Sequence, residues 1–192
     1  MEHRTDLTFE KLRQKVRLLN DRYWNEGYEY RWRYMSKVIQ KTLELKHERI
    51  LEIGANKINL FSHSDNLDIS STLIDKENWG NRKIIQDATF TPWKNIPDKH
   101  YDLVIALQVF EHFAGKQARV FEEIKRVSKA AIISIPWKWQ NKKDPEHYNI
   151  NEKHLIEWFN YQEAYYNELV RFQYNTDRLI IGFKFNSDKL DF

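Results

Sequence analysis

The stretch Arg49–Ala55, which reads Arg-Ile-Leu-Glu-Ile-Gly-Ala, constrains the fold of this chain more than any other. A short apolar run between a charged segment and a glycine is typical of a buried parallel strand that ends at a tight turn. Glu52 interrupts the run, and a buried acid needs hydrogen-bond donors to offset its desolvation. Ligands of open α/β sheets bind in the crevice beyond the carboxyl ends of the strands. Glu52 is therefore a candidate binding residue.

Apolar patterns along the rest of the chain indicate alternating helices and strands. Two helices are expected before the first strand, within residues 7–25 and 30–45, with Thr8 as the N-cap of the first. Further strands are expected at residues 66–69, 72–75, 83–88, 101–107 and 130–135, helices at 117–128 and 152–161, and a closing hairpin of 168–174 and 178–185. This order predicts an α/β fold with one doubly wound, Rossmann-like sheet, mostly parallel, with an antiparallel hairpin strand at its edge.

The composition limits the classes of protein that this sequence can encode. Its 192 residues include no cysteine, 31 basic and 28 acidic side chains, and the formal net charge is +3. A chain of this length forms an α/β core without disulfides, and it has no thiolate for metal binding. The interspersed charges tolerate a phosphate-bearing ligand but are not the basic block typical of nucleic-acid binding. The apolar runs are too short to cross a bilayer and no signal-like segment follows Met1, so we expect a cytoplasmic protein.

Four short motifs, taken in order, resemble those of the class I S-adenosylmethionine-dependent methyltransferases. They are Leu51–Ala55, Gln86–Thr89, Tyr101–Ala106 and Phe110–Phe113. The Glu-His pair in the last motif is frequent in small-molecule methyltransferases of this fold. The resemblance covers roughly residues 28–137, and the chain length favours a single methyltransferase-like domain over residues 1–192. Its expected parts are an N-terminal helical cap (1–46), a cofactor-binding half (47–136), and an acceptor loop, helix and terminal hairpin (137–192).

The resemblance implies that S-adenosylmethionine binds at the ends of the strands. The turn at Gly54 and Ala55 would let the backbone approach its methionine part. Further contacts to the cofactor are expected from Glu52, Asn56 and Arg31. Arg31 lies in a segment, Tyr28–Tyr34, that is both aromatic and basic.

Two later motifs would complete the cofactor site. Asp87 and Ala88 match the family's pair that recognises adenine, with the carboxylate accepting from its exocyclic amine. Gln108 and Val109, just past the strand expected at residues 101–107, would flank the sulfonium. A sulfonium cation is stabilised by carbonyl oxygens and aromatic faces and needs no strong acid.

Two features depart from the family pattern. Asn56 and Ile58 stand where the family's turn carries further glycines, and isoleucine tolerates a left-handed backbone poorly, so we expect a reshaped turn. The acid that accepts the ribose hydroxyls is either Asp68 or Asp75. Asp75 has the usual spacing from Gly54, whereas Asp68 ends the better strand pattern after a shortened crossover, and Asp68 is favoured.

A second, weaker resemblance concerns the acceptor. The Trp-rich segment after Pro136, followed by Asp144–His147, is similar to a methyltransferase branch associated with cell-surface sugar biosynthesis. We therefore expect a small-molecule or glycan acceptor, with a sugar hydroxyl as the nucleophile. A hydroxyl loses its proton as it attacks, and histidine is the base best matched to neutral pH. His147 is the preferred catalytic base and His112 the second candidate, while Trp137 or Trp139 could stack on the sugar.

Other interpretations of these residues remain open. Asp144, Glu146 and His147 could hold a divalent cation, although no metal is assigned from their spacing alone. A nicotinamide-dependent oxidoreductase is disfavoured, since no Gly-x-Gly-x-x-Gly follows the first strand. A nucleic-acid methyltransferase is disfavoured because Ala106–Val109 replaces the amino-methylating motif. The degraded glycine turn also permits a non-catalytic binding module with the same fold.

The choice between the two ribose acids is testable by substitution. Asp68→Ala is expected to weaken S-adenosylmethionine binding more than Asp75→Ala does, by roughly 1.5–3 kcal/mol, because hydrogen bonds to a charged carboxylate are lost. Isothermal titration calorimetry on both variants measures this ranking. The reverse order would show that the crossover has ordinary length and that Asp75 is the ribose acid.

Overall fold

The computed structural model describes residues 7–45, 47–67, 83–84, 86–172 and 176–185. Asp68 and Asp75 lie outside these residues, and so does the strand expected at residues 72–75. The predicted ribose acid therefore stays a prediction. In the described part of the chain, no helix is both long enough and apolar enough to span a membrane.

Three helices precede the sheet: α1 (Phe9–Leu19), α2 (Arg22–Asn25) and α3 (Tyr28–Leu45). Thr8 caps α1, as expected, by accepting a hydrogen bond from the Lys11 amide. The single helix expected over residues 7–25 is wrong, because Asn20 is left-handed and Asp21 caps a new helix through the Trp24 amide.

Seven described strands form one sheet in the order β3-β2-β1-β4-β5-β7-β6. They are β1 (Ile50–Ile53), β2 (Asp65–Leu67), β3 (Lys83–Ile84), β4 (Leu103–Leu107), β5 (Ala130–Pro136), β6 (Ala164–Val170) and β7 (Arg178–Lys184). The first five pair in parallel, and β7 runs antiparallel to both β5 and β6. This confirms the predicted fold class. The expected position of the antiparallel strand at the sheet edge is wrong, because β7 inserts between β5 and β6.

Alternating side chains on the central strands divide the core into two layers. Ile50, Leu103 and Ile105 face the N-terminal helices and pack with residues such as Val16 and Val38. On the other face, the β4 and β5 side chains pack against helices α4 (Gln117–Val127) and α5 (Glu152–Phe159) and a 3₁₀ helix (Phe110–Phe113). The N-terminal helices therefore share one core with the sheet.

The crossover from β1 to β2 is short and contains no helix. Residues 54–64 form turns, and this confirms the shortened crossover expected from the sequence. A helix would satisfy its own amides, but this loop depends on Glu52, whose buried carboxylate accepts from the amides of Leu60 (2.9 Å) and Phe61 (3.1 Å). The Ser64 hydroxyl also donates to it, at 2.6 Å. Glu52 is thus occupied in holding the loop and presents no free carboxylate to a ligand, contrary to its expected cofactor role.

Burial of Glu52 makes folding stability depend on pH. Burial raises the pKa of this carboxyl to about 7, against the opposing effect of the hydrogen bonds from Ser64, Leu60 and Phe61. The folded protein therefore binds more protons than the unfolded chain between about pH 4.5 and pH 7, and stability falls as the pH rises through this window.

Comparison with Glu52→Gln isolates this contribution. The free energy of unfolding of the native protein, minus that of the variant, should fall by roughly 3 kcal/mol between pH 4.5 and pH 8. Urea denaturation at several pH values measures the difference. Glu157→Gln, at an exposed glutamate, is the matched control for the loss of one carboxylate. A difference for Glu52→Gln that stays constant with pH would contradict this account.

Candidate functional site

The register of the parallel strands brings their carboxyl ends to one level. Ile53 pairs with Ala106, and Ala106 pairs with Ile133. The chain then turns through left-handed residues at Gly54 (φ 65°) and Gln108 (φ 53°). Gln108 is held in this conformation by its amide, which donates to the Ser134 carbonyl at 2.8 Å, and by its side chain, which donates to the Ser134 hydroxyl at 3.1 Å.

The turn after β1 is reshaped, as the missing glycines led us to expect. Asn56 (φ 41°) and Lys57 (φ 75°) are both left-handed. Ile58 escapes that conformation, is buried, and donates its amide to the Ala55 carbonyl at 3.2 Å. A small cavity of about 40 Å³ lies against this turn, and its walls include Glu52, Gly54, Ala55 and Asn56.

The N-terminal helices close over this turn. The indole nitrogen of Trp24 donates to the Asn56 carbonyl at 2.7 Å, and Lys57 pairs with Asp21 at 3.1 Å. Tyr23, Trp24 and Tyr34 complete the wall of the small cavity. The segment around α2 therefore forms the cover of the expected methionine site.

A second cavity, of about 550 Å³, opens beside the first. It shares Tyr23 and Tyr34 with the small cavity. Its other walls come from the ends of β4 and β7, the N-terminal helices and the loop after β5, and they include Arg31, Gln108, His112, Trp139, His147 and Arg178. The structure thus brings together both expected histidines, Arg31, Gln108 and one of the two expected tryptophans. Trp137 instead packs against the core.

Two arginines face the larger cavity, each stacked on an aromatic ring. The Arg31 guanidinium lies 3.5 Å from the ring centre of Tyr23, and that of Arg178 lies 3.9 Å from the ring centre of Trp139. Among the described residues, neither guanidinium has a carboxylate within ion-pair distance. Burial lowers the pKa of Arg178 to about 10. The Glu111 carboxylate acts on Arg178 only at longer range. Two cations that lack a direct ion pair among the described residues favour an anionic ligand group in this cavity.

The loop after β5 carries His147 back to the cavity wall. The Asn149 amide donates to the Trp139 carbonyl at 2.7 Å, and the rings of His147 and Trp139 lie 5.3 Å apart. Asp144 Oδ1 lies 2.5 Å from Nδ1 of His147, within ion-pair distance. Glu146, which belongs to the same loop, contacts Nδ1 of His112 at 2.5 Å.

His112 lies on the 3₁₀ helix directly after β4. Phe110 and Phe113 are buried in the core and fix this helix, with the Phe110 ring 5.3 Å from that of Phe159. His112 consequently reaches the cavity, where its ring is 5.0 Å from that of His147. It is part of the cavity wall and does not merely brace the loop from below.

Glu111 is a site residue that the sequence analysis did not identify. Its side chain has no exposed surface, its Oε1 lies 3.5 Å from Nε2 of His147, and neither of its oxygens accepts a hydrogen bond. Burial lowers the pKa of His147, but Glu111 and Asp144 outweigh burial, so the pKa is raised overall. The sequence signal was the Glu-His pair itself, in which only the histidine was given a role.

One potential metal-binding group is present among the described residues. Ligand atoms of Glu111, His112 and His147 lie within 4.8 Å of one another. The cluster considered from sequence was Asp144, Glu146 and His147, with no metal assigned. In the structure, Asp144 and Glu146 contact the Nδ1 atoms of His147 and His112, respectively. Glu111 instead lies near Nε2 of His147.

The remaining expected cofactor residues lie apart from the two cavities. Ala88 is fully buried, and its carbonyl accepts from the Trp93 indole at 2.9 Å. Asp87 accepts from the Thr89 amide at 2.8 Å and is only partly buried. Val109 is buried in the core and lines neither cavity with its side chain. Their roles toward a cofactor stay predictions.

Comparison with known families and structures agrees with the fold. Residues 53–131 match the family model described as a methyltransferase domain. No curated protein sequence gives a significant match. The N-methyltransferase NodS from Bradyrhizobium japonicum WM9 is 9% identical, with a TM-score of 0.60 over 81% of this chain and 96% of that one.

Two other solved structures show the same architecture. A chain of the complex between the Haloferax volcanii Trm112 methyltransferase activator and the putative methyltransferase is 12% identical, with a TM-score of 0.59 over 94% of this chain and all of that one (100%). A putative O-methyltransferase from Nostoc punctiforme PCC 73102 is 16% identical, with a TM-score of 0.53 over 78% of this chain and 55% of that one. At these identities the likeness shows the fold and does not determine the atom that is methylated.

Taken together, the methyltransferase-domain match and the fold indicate an S-adenosylmethionine-dependent methyltransferase. The matched residues include β4 and both strand-end turns, at Gly54 and Gln108. They also include Glu111 and His112, whereas Trp139, His147 and Arg178 lie beyond the match.

Proposed function

We propose that this protein transfers the methyl group of S-adenosylmethionine to a hydroxyl of a small-molecule or glycan acceptor, specifically a sugar in surface polysaccharide biosynthesis. The observation that supports it most is the pair of adjoining cavities at the carboxyl ends of β1 and β4, which share Tyr23 and Tyr34. The methionine end of a methyl donor against the smaller cavity and an acceptor in the larger one would meet beside these shared tyrosines.

The cofactor side of the proposal uses the turn after β1. The methionine part would lie against Gly54 and Ala55. Its carboxylate would pair with Arg31, which lines the larger cavity and has no carboxylate within ion-pair distance among the described residues. The adenosine part would extend along the strand ends, with Asp87 accepting from the adenine amine and Asp68 from the ribose hydroxyls. S-adenosylmethionine supplies the electrophilic methyl group when bound.

The acceptor side uses the larger cavity. Trp139, Tyr30 and Phe172 supply aromatic faces of the kind on which a sugar ring stacks. Arg178 is fixed by its stack on Trp139 and by a 2.8 Å hydrogen bond to the Thr176 carbonyl. In the described part of the chain no carboxylate lies within ion-pair distance of it. An acceptor that carries phosphate or carboxylate would complete this site, and a nucleotide sugar meets both requirements.

Activation of the acceptor is proposed to involve His147. Methyl transfer is an in-line displacement, so the protein supplies alignment and a group that takes the hydroxyl proton. Asp144 contacts Nδ1 of His147, which leaves Nε2 as the nitrogen that faces Glu111 and the site. The acceptor proton would pass to this nitrogen as the oxygen–carbon bond forms, with His112 as the alternative base.

The proposal also places residues 1–192 in a single domain in the cytoplasm. The shared core of the N-terminal helices and the sheet supports the single domain. A cysteine-free chain is compatible with a reducing compartment.

Cofactor binding is the first test of this proposal. The purified protein should bind S-adenosylmethionine and S-adenosylhomocysteine at micromolar concentration, on the order of −8 kcal/mol. Asp87→Asn should weaken this binding at least about tenfold through the lost charge-assisted hydrogen bond, whereas Asp98→Asn, at an exposed loop residue, should not. Isothermal titration calorimetry gives both values. No heat and no thermal shift at millimolar ligand would support the non-catalytic alternative instead.

The role of His147 is tested by turnover. His147→Ala should lower methyl transfer to a nucleotide sugar at least about 100-fold, since a positioned base contributes about 10²–10⁴-fold. Cofactor affinity should barely change, and transfer of isotope-labelled methyl groups to a panel of nucleotide sugars measures turnover. His100→Ala is the control, because His100 lies before β4, at the opposite end of the sheet. If His147→Ala turns over normally while His112→Ala is folded but inactive, His112 and not His147 is the catalytic base.

A further inference from the structure

The feature that the proposed methyl transfer leaves unexplained is the buried carboxylate of Glu111. Both of its oxygens are buried and accept no hydrogen bond, unlike those of Glu52. An ionised carboxylate in this position is costly unless a cation lies beside it. Its only ion-pair contact among the described residues is with Nε2 of His147, at 3.5 Å, which is too long for a direct hydrogen bond. The Glu111 carboxylate and Nε2 of His147 could therefore share a cation between them.

The surrounding carboxylates orient both histidines toward that space. Glu146 is hydrogen-bonded to Nδ1 of His112, and Asp144 forms an ion pair with Nδ1 of His147 outside hydrogen-bond geometry, each at 2.5 Å. A carboxylate on one ring nitrogen fixes the tautomer and leaves the lone pair of the other nitrogen free, as in the carboxylate–histidine–metal arrangement. Both Nε2 atoms are therefore available as ligands. The two rings are perpendicular, with centres 5.0 Å apart, so two imidazoles can approach one point without stacking.

We propose that Glu111, His112 and His147 bind a divalent transition-metal ion at the wall of the acceptor cavity. Their ligand atoms already lie within 4.8 Å of one another, so small rotations of these side chains bring them to coordination distance. Two imidazoles and one carboxylate favour Zn²⁺, Mn²⁺, Fe²⁺ or Co²⁺ over Ca²⁺ and Mg²⁺, which prefer oxygen ligands alone. Three protein ligands leave positions open toward the cavity, and an acceptor oxygen or water occupies them.

This inference deepens the proposed function by assigning a role to the group that faces the acceptor. In the metal-free protein, Nε2 of His147 is the base proposed above. With the ion bound, the same nitrogen is a ligand, and the ion takes the place of the proton between His147 and Glu111. Ion binding requires neither S-adenosylmethionine nor an acceptor. It therefore succeeds or fails separately from methyl transfer.

Metal titration of the untagged, chelator-treated full chain tests the site. Mn²⁺ binding is followed by the loss of the free-ion signal in electron paramagnetic resonance, Co²⁺ binding by visible absorption, and Zn²⁺ binding by competition with a chromogenic chelator. We expect one ion per chain. Glu111→Gln, His112→Ala and His147→Ala should each weaken binding at least about 100-fold, because each removes one of three ligands. Asp144→Asn should weaken it about 10- to 100-fold through loss of ring orientation.

Two controls separate ligation from other effects. His100→Ala, remote from the cavity, should bind the ion as the native chain does, and circular dichroism should show that each variant is folded. Should a ligand variant fail to fold, Asp144→Asn carries the test, since it leaves all three ligands in place. Absence of stoichiometric binding by all three ions, or equal binding by the native chain, Glu111→Gln and His147→Ala, would overturn the proposal.

Discussion

The parallel strands β1, β4 and β5 end at the same level of the sheet, and the rest of the site depends on this register. Because Ile53, Ala106 and Ile133 are in register, the turns at Gly54 and Gln108 lie side by side. The 3₁₀ helix after β4 and the loop after β5 then start from the same edge. Glu111, His112, Trp139 and His147 converge there because their strands end together, although His147 follows Glu111 by 36 positions in the sequence.

Two buried glutamates at this edge illustrate the difference between a structural acid and a functional one. Glu52 accepts three hydrogen bonds, two from loop amides, and so replaces the helix that would otherwise satisfy those amides. Glu111 accepts none and faces the two histidines. Glu52 and Glu111 are equally buried, each 4% exposed. The difference between the structural and the functional acid therefore lies in the hydrogen-bond donors around each carboxylate and not in burial. The satisfied acid stabilises the fold, and the unsatisfied one is kept for a ligand.

The sequence predicted the sheet well because buried parallel strands are apolar runs with clear boundaries. Leu103–Leu107 and Ala130–Pro136 are of this kind. It predicted the break at Asn20 poorly, since apolar spacing continues through Tyr23 and only the left-handed Asn20 and the capping Asp21 end the helix. The position of β7 was also missed, because hairpin patterns show which strands pair with each other and not which neighbour they join.

The candidate site likewise contains residues that the sequence predicted and residues that it did not. His112 and His147 were found from sequence because histidine after a strand end is a chemical signal in itself. Glu111 was not identified and Glu52 was given a cofactor role, since the difference between them lies in donors supplied by residues 60–64, which no local pattern reveals. Arg178 was missed for a related reason: it begins a strand far along the chain, and only the insertion of β7 beside β5 brings it to the cavity.

The measurement that tests the central claim most directly is a crystal structure of the protein with S-adenosylhomocysteine and Mn²⁺. The account predicts that the methionine part of the ligand lies against Gly54 and Ala55. Its sulfur should point toward Tyr23 and Tyr34, the two residues that both cavities share. It also predicts an anomalous-scattering peak for the ion between Glu111, His112 and His147. A ligand bound away from the β1 turn, or one that fills the larger cavity and leaves no room for an acceptor, would contradict it.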